Sequence, residues 1–333
     1  MSNLKRQFEL SELKIFLLKI ILFIILFLVI SHFLNRLYTS IILSNSLGFR
    51  TERQFQAGKQ DARILGIGDS HIKYGLHAGY LENSFVVANS AENYIQTYYK
   101  LNTYFEDESL DVALIIMSID LHTFSSYGKD RFENIDFWGK YINYYRLALR
   151  NNDLPRLISF WLQGEFAYVG GFDEVSSLLK IQLEDQPETE LINGYQPKNG
   201  FFGEFERKEE LAALRADYHF KGNDPLDPDL LLYFFKMLEL ARENNVQVVL
   251  VRFPVTAEYY SAASKIPSLV GHYEKIDSLL ALNGYGSIPI LDYHDIFWDG
   301  QNYFSDPDHL NEQGAILITK MIKNDLEDLY LLP

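Results

Sequence analysis

The chain has no cysteine among its 333 residues, which excludes a disulfide framework, a thiolate nucleophile and a thiolate-bound metal. That absence identifies no compartment, although it suits export without redox handling. A dinucleotide fingerprint is missing too: Gly66 and Gly68 follow a strand-like run, but the third glycine at the required spacing is absent. No cluster of His, Asp and Glu has metal-ligand spacing, so neither a metal nor another cofactor is expected. Positive charge is scarce, with 30 Lys and Arg against 45 Asp and Glu and a net charge of −15. Residues 1–40 carry a net +3 and residues 41–333 therefore −18. A domain that acidic is poorly suited to nucleic acid or an anionic lipid surface, and better suited to a neutral or cationic partner.

What is present begins with a long apolar run. Every residue from Ile20 to Ile30 is Ile, Leu, Phe or Val, and flanking apolar residues extend the run from Ile15 to Leu34. About 20 residues span a bilayer, a length reached here if Lys19 snorkels to the head groups. The reading is a transmembrane helix at 15–35 in contact with the lipid bilayer. Its rivals are a cleaved signal peptide, for which no small-x-small site follows the run, and a buried core helix. Lys5, Arg6, Lys14 and Lys19 precede the main run and Arg36 follows it. This bias predicts residues 1–14 as a cytoplasmic tail and everything after the span outside the membrane.

Residues 36–61 read as a juxtamembrane connector, and 62–333 as the functional domain. Apolar runs at 63–67, 85–88, 111–117, 246–251 and 288–293 read as strands, the last an edge strand because Pro289 is tolerated there. Segments 94–105, 228–241, 273–282 and 314–322 read as helices. The alternation predicts an α/β fold with a central, mostly parallel sheet. Residues 123–225 break the rhythm and read as a partly helical insertion: a lid, an acceptor-binding surface or elaboration without chemistry. Within it, the acidic stretch 184–190 reads as a solvated loop.

Chemistry is expected at two distant pieces. Gly68-Asp69-Ser70-His71 follows the first strand, where open α/β sheets place ligands. Asp306-Pro307-Asp308-His309 precedes the last helix. A hydroxyl is a weak nucleophile until a base removes its proton. Ser70 as nucleophile, His309 as base and Asp306 as the group orienting the imidazole would satisfy that need. Asp308 is a competitor for the orienting role, and either aspartate could instead cap the helix.

These residues resemble the SGNH/GDSL hydrolase superfamily. The fuller pattern is Gly68-Asp69-Ser70-His71, a block at Asn89, and Phe304-x-Asp306-x-x-His309-Leu310-Asn311-x-x-Gly314-Ala315. It is similar to the membrane-anchored extracytoplasmic branch associated with O-acylation or deacylation of bacterial cell-surface polysaccharides. The resemblance covers roughly 62–120 and 226–325. It implies a three-layer SGNH-like domain and a serine esterase or O-acyltransferase in the bacterial inner or cytoplasmic membrane. An acylated carbohydrate or acyl donor would be the partner, with acetyl as the acyl group and a membrane-embedded protein as a possible acyl supplier. The Ser70 N–H would be one oxyanion donor. The family's Gly and Asn donors have no counterpart here, which leaves Ser90, Ala91, Asn93, Ser118, His122 and His71 as candidate oxyanion or pocket groups. Arg252, at a strand end, is a candidate for binding an anionic group or for a surface salt bridge. The alternative is a catalytically degenerate domain that binds or assembles envelope polysaccharide components; phosphodiester chemistry is a third option.

Overall fold

The computed structural model describes residues 2–129, 135–143 and 190–333, with positions 155, 157, 158, 161, 162 and 166 between them. The acidic stretch falls outside the described residues except for Glu190. The chain divides into two compact units, Met1–Phe49 with Asn134–Pro187, and Arg50–Glu133 with Glu188–Pro333.

In the first unit, helix α1 runs Ser2–Leu37 and leaves the apolar side chains between Ile15 and Leu34 exposed. It is long and apolar enough to cross a membrane by length and composition. A π turn at Tyr38–Ile42 and a 3-10 turn at Leu43–Asn45 end it. Tyr38 and Leu43 are buried there against Ile42 and Phe49. Helix α2, Leu47–Gly58, follows in the stretch that the sequence marks only as connector.

Among the described residues the second unit is built on five parallel strands: β1 Ile64–Ile67, β2 Ser84–Val86, β3 Leu114–Ser118, β4 Gln247–Arg252 and β5 Ile290–Asp292. Their order in the sheet is β2-β1-β3-β4-β5. All five overlap the apolar runs in the sequence, most plainly where a parallel strand is buried on both faces and has to be apolar. β1 and β3 are buried along their whole length. β5 stands at the sheet edge beside Pro289, whose carbonyl accepts from Leu250 N at 3.0 Å.

The helices are α3 Ser70–Gly75, α4 Tyr94–Phe105, α5 Ile135–Trp138 of the first unit, α6 Lys208–Phe220, α7 Pro228–Glu243, α8 Ala257–Ser264, α9 His272–Leu282 and α10 Glu312–Asp328. α4 packs on α7 and α3 packs on α10, the pairing that right-handed crossovers require with this strand order. α7 buries Leu230, Tyr233, Phe234, Met237, Leu238 and Ala241, the stripe of an amphipathic helix. His77 N donates to Thr319 Oγ1 at 2.8 Å and ties the end of α3 to α10.

The chain reverses direction across the sheet between β1 and β3, the switch point at which α/β sheets open a crevice. Gly66, within β1, lets α3 pack close to the strand, and Gly68 allows the turn out of it. A Cβ on Gly66 would sit 2.5 Å from Leu76 Cδ2, and Gly68 has φ +133°, where a side chain is strained and would meet Ser118 Oγ at 3.1 Å. Gly68→Ala is therefore expected to cost about 1–3 kcal/mol, read as a lowered Tm of the full-length protein in detergent.

Candidate active site

Ser70 is the first residue of α3, and Asp69 is its N-cap, its carboxylate accepting from His71 N at 2.9 Å. The other piece is a tight loop closed by the Phe304–Leu310 bridge and by Ser305 N donating to His309 O at 3.0 Å. Asp306 Oδ1 accepts from Asp308 N at 3.2 Å and from His309 N at 3.0 Å, so the aspartate shapes the turn that presents the histidine. The two pieces meet. His309 Nε2 lies 2.8 Å from Ser70 Oγ, and His309 Nδ1 lies 2.9 Å from both oxygens of Asp306. Burial holds the His309 pKa below its ordinary 6.5, against the opposing pull of Asp308 and Asp306. The imidazole is thus neutral at pH 7 and able to take a proton from Ser70 Oγ.

Behind this row lies a buried ionic network. His71 Nδ1 is 2.8 Å from Asp120 Oδ2, and its Nε2 is 3.7 Å from Asp308 Oδ2. Burial opposes its charge, yet Asp120, Asp308 and Asp69 together raise its pKa well above 6.5, so the ring is an imidazolium. Asp120 Oδ1 also accepts from Phe253 N at 2.7 Å, which joins the loops after β3 and β4. Asp308 takes Arg215 Nε on both oxygens at 2.9 Å and lies 3.4 Å from His309 Nδ1. Burial disfavours its charge, but His309, His71, Arg215 and His219 keep its pKa well below the carboxylate range. Asp306 is the closer and better-placed partner of His309, with Lys198 paired to its outer oxygen.

Of the remaining named residues, His122, Ser118, Asn93 and Arg252 are engaged elsewhere. His122 Nε2 holds Asp69 Oδ2 at 2.8 Å and stacks on His219, and Ser118 Oγ reaches Asp69 Oδ1 at 3.5 Å. Asn93 caps α4 with a capping box, and its amide donates to Gly128 O at 3.0 Å, so it is not directed at Ser70. Ser90 is exposed, and its Oγ is 2.9 Å from Tyr74 OH. Ala91 has φ +56°, a backbone that favours glycine. Arg252 is no surface salt bridge. It is buried between Asp277 and Asp292, 4.3 Å from the Tyr273 ring centroid. It lines a cavity of about 250 Å³ with Tyr260, His272 and His294. That cavity sits by β4 and β5, two and three strands from β1, or roughly 10–15 Å along the sheet.

Sequence reading missed Lys198, Arg215 and His219, all in the segment grouped with the insertion. Arg215 and His219 are four residues apart on α6, and that i, i+4 spacing on one face was the available signal. Among the described residues, His71, Asp308 and His309 bring metal-ligand atoms within 4.8 Å of one another. A cation there would have to displace the Arg215 guanidinium and the His71 proton, so the donor set fits an ionic network better than a metal.

Set against known families and curated proteins, the chain matches no family model and no curated protein. What it shows is an α/β domain on a parallel sheet, joined to one long apolar helix, with buried His and Asp pairs at the sheet's switch point.

Removing Arg215 would strand the buried Asp308 charge. Arg215→Leu is expected to destabilise the protein by about 3 kcal/mol. Lys221→Met, which breaks the exposed pair with Asp217, should change stability by no more than about 0.5 kcal/mol. Thermal unfolding of both variants beside wild type checks the contrast.

Proposed function

We propose that the protein is a serine-dependent O-acyltransferase or esterase of the SGNH type, acting on acyl groups, acetyl among them, of a bacterial cell-surface polysaccharide. The observation that carries this reading is the continuous chain Ser70 Oγ–His309 Nε2 and His309 Nδ1–Asp306 at 2.8 and 2.9 Å. Ser70 Oγ attacks the ester carbonyl carbon as its proton passes to His309 Nε2, and Asp306 steadies the imidazolium that forms. The oxyanion needs donors in place before charge develops. The Ser70 N–H stands at the first turn of α3, where helix N–H groups have no partner within the helix. The turn at Ser90 and Ala91 is the second source, since Ala91 keeps a glycine-like backbone where the family pattern has glycine. Collapse of the intermediate sends the His309 proton to the leaving alkoxide and leaves acyl-Ser70. Water then completes hydrolysis, or a carbohydrate hydroxyl completes transfer.

The apolar α1 suits a single-pass anchor, with the excess of Lys and Arg before the span placing the N-terminus in the cytoplasm. The acyl chemistry would then take place outside, beside polymer at the cell surface.

Full-length protein in detergent should release acid from a small aryl acetate, and Ser70→Ala should lower kcat/KM by at least about a thousandfold. Acetylated glycan among the products would select transferase over esterase. Turnover requires neutral His309, whose pKa is lowered. Activity should therefore persist at pH 6.5 and fall only as pH drops through a value below 6.5. An acid limb centred above 6.5, or turnover that survives Ser70→Ala, would contradict this assignment.

A further inference from the structure

A buried ammonium normally has a carboxylate beside it, because an uncompensated charge out of water is costly. Lys73 does not. It lies one turn after Ser70 on α3 and is 6% exposed. Its Nζ reaches the Ser90 hydroxyl at 3.3 Å, and among the described residues no carboxylate stands within ion-pair distance of it. Burial holds the Lys73 pKa below the ordinary 10.5; Glu92, whose charge opposes that shift, directs its oxygens at Lys100, Asn89 and Thr97.

A second ammonium stands against the same ring. The Tyr74 ring centroid is 5.4 Å from Lys73 Nζ and 4.9 Å from Lys198 Nζ. The ring is also edge-on to His309 at 5.4 Å, and its hydroxyl is 2.9 Å from Ser90 Oγ. Ser90 is exposed, and Tyr74 and Lys198 are half-buried. The cluster is therefore open to solvent beside the Ser70–His309 pair. Of the two like charges held around this ring, Lys198 has a carboxylate partner in Asp306 and Lys73 has none within ion-pair distance among the described residues. Lys198 spends one contact on Asp306 and keeps further donors, since an ammonium carries three.

We propose that Lys73, Lys198, Ser90 and Tyr74 form a subsite for an anionic substituent, a carboxylate or a phosphate, carried by the substrate next to the ester that Ser70 attacks. This rests on the serine reading above and adds a substrate class to it. Two ammonium groups and two hydroxyls match a lasting ground-state anion. A transient oxyanion would use Lys73 alone, whereas both ammonium groups border this cluster. The site would also admit an acidic substrate that the net charge of the domain otherwise repels.

The test uses full-length protein in detergent with two aryl esters, the neutral acetate and the hemisuccinate, whose free end is a carboxylate. Wild type should prefer the hemisuccinate in kcat/KM by about tenfold or more, and Lys73→Met should bring the ratio near one, chiefly through the KM of the hemisuccinate. Lys198→Met should shift the ratio in the same direction by less. Equal loss of kcat on both esters in Lys73→Met would make Lys73 an oxyanion donor and overturn the subsite, as would a wild-type ratio near one. Calorimetry on Ser70→Ala reads the subsite without turnover. Inorganic phosphate or succinate should bind, about fivefold or more weakly once Lys73→Met is added, and the tighter of the two names the anion. If neither binds, the subsite fails. If wild type turns over neither ester while phosphate still binds, the serine reading fails and the anion site stands.

Discussion

The site depends on a charged histidine that has almost no contact with water. His71 follows Ser70 directly, and its imidazolium stands among Asp120, Asp308 and Asp69, one from each of the loops after β3, before α10 and after β1. Burying a cation among three carboxylates is favourable only when each remaining oxygen is satisfied. Arg215 does this for Asp308, the Phe253 N–H for Asp120, and His122 with the His71 N–H for Asp69. The network fixes where three strand-end loops sit relative to one another. The Ser70–His309 distance follows from that placement, because Ser70 and His309 are each next in sequence to a member of it.

The same arrangement divides the two aspartates of the last loop. Asp306, at its edge, faces His309 and shapes the turn with its own backbone contacts. Asp308 points inward to Arg215 and the buried histidines. The turn closed by Asp306 leaves that carboxylate at the loop's edge and Asp308 beneath it, so one loop supplies both the neighbour of His309 and part of the buried network. The pKa directions agree: His309 is held neutral and His71 charged, although the rings lie only 5.4 Å apart.

Much of this was legible in the sequence. Parallel strands buried on both faces leave apolar runs, so β1 and β3 stood out, β2, β4 and β5 showed as shorter or partly buried runs, and the Gly68-Asp69-Ser70 turn and the Asp306–His309 spacing named the pieces that meet. The unread parts are those without local periodicity. Lys198 and Arg215 act across about a hundred residues of chain, and no local pattern announces such pairings. Asn93 illustrates the reverse error. Asn93 and Gln96 are spaced as a capping box, which the structure shows the amide serving, whereas position in a family block had suggested an oxyanion role. Arg252 sits at a strand end like a ligand-binding residue, but Asp277 and Asp292, distant in sequence, neutralise it.

The central claim is that Ser70 is a nucleophile activated by His309. The most direct measurement is intact-protein and peptide mass spectrometry after exposure of the full-length protein to a serine-directed fluorophosphonate. The account predicts one adduct, located at Ser70 and strongly slowed in His309→Gln. A folded wild-type protein that takes no adduct, or labelling that persists in Ser70→Ala at the same rate, would contradict it.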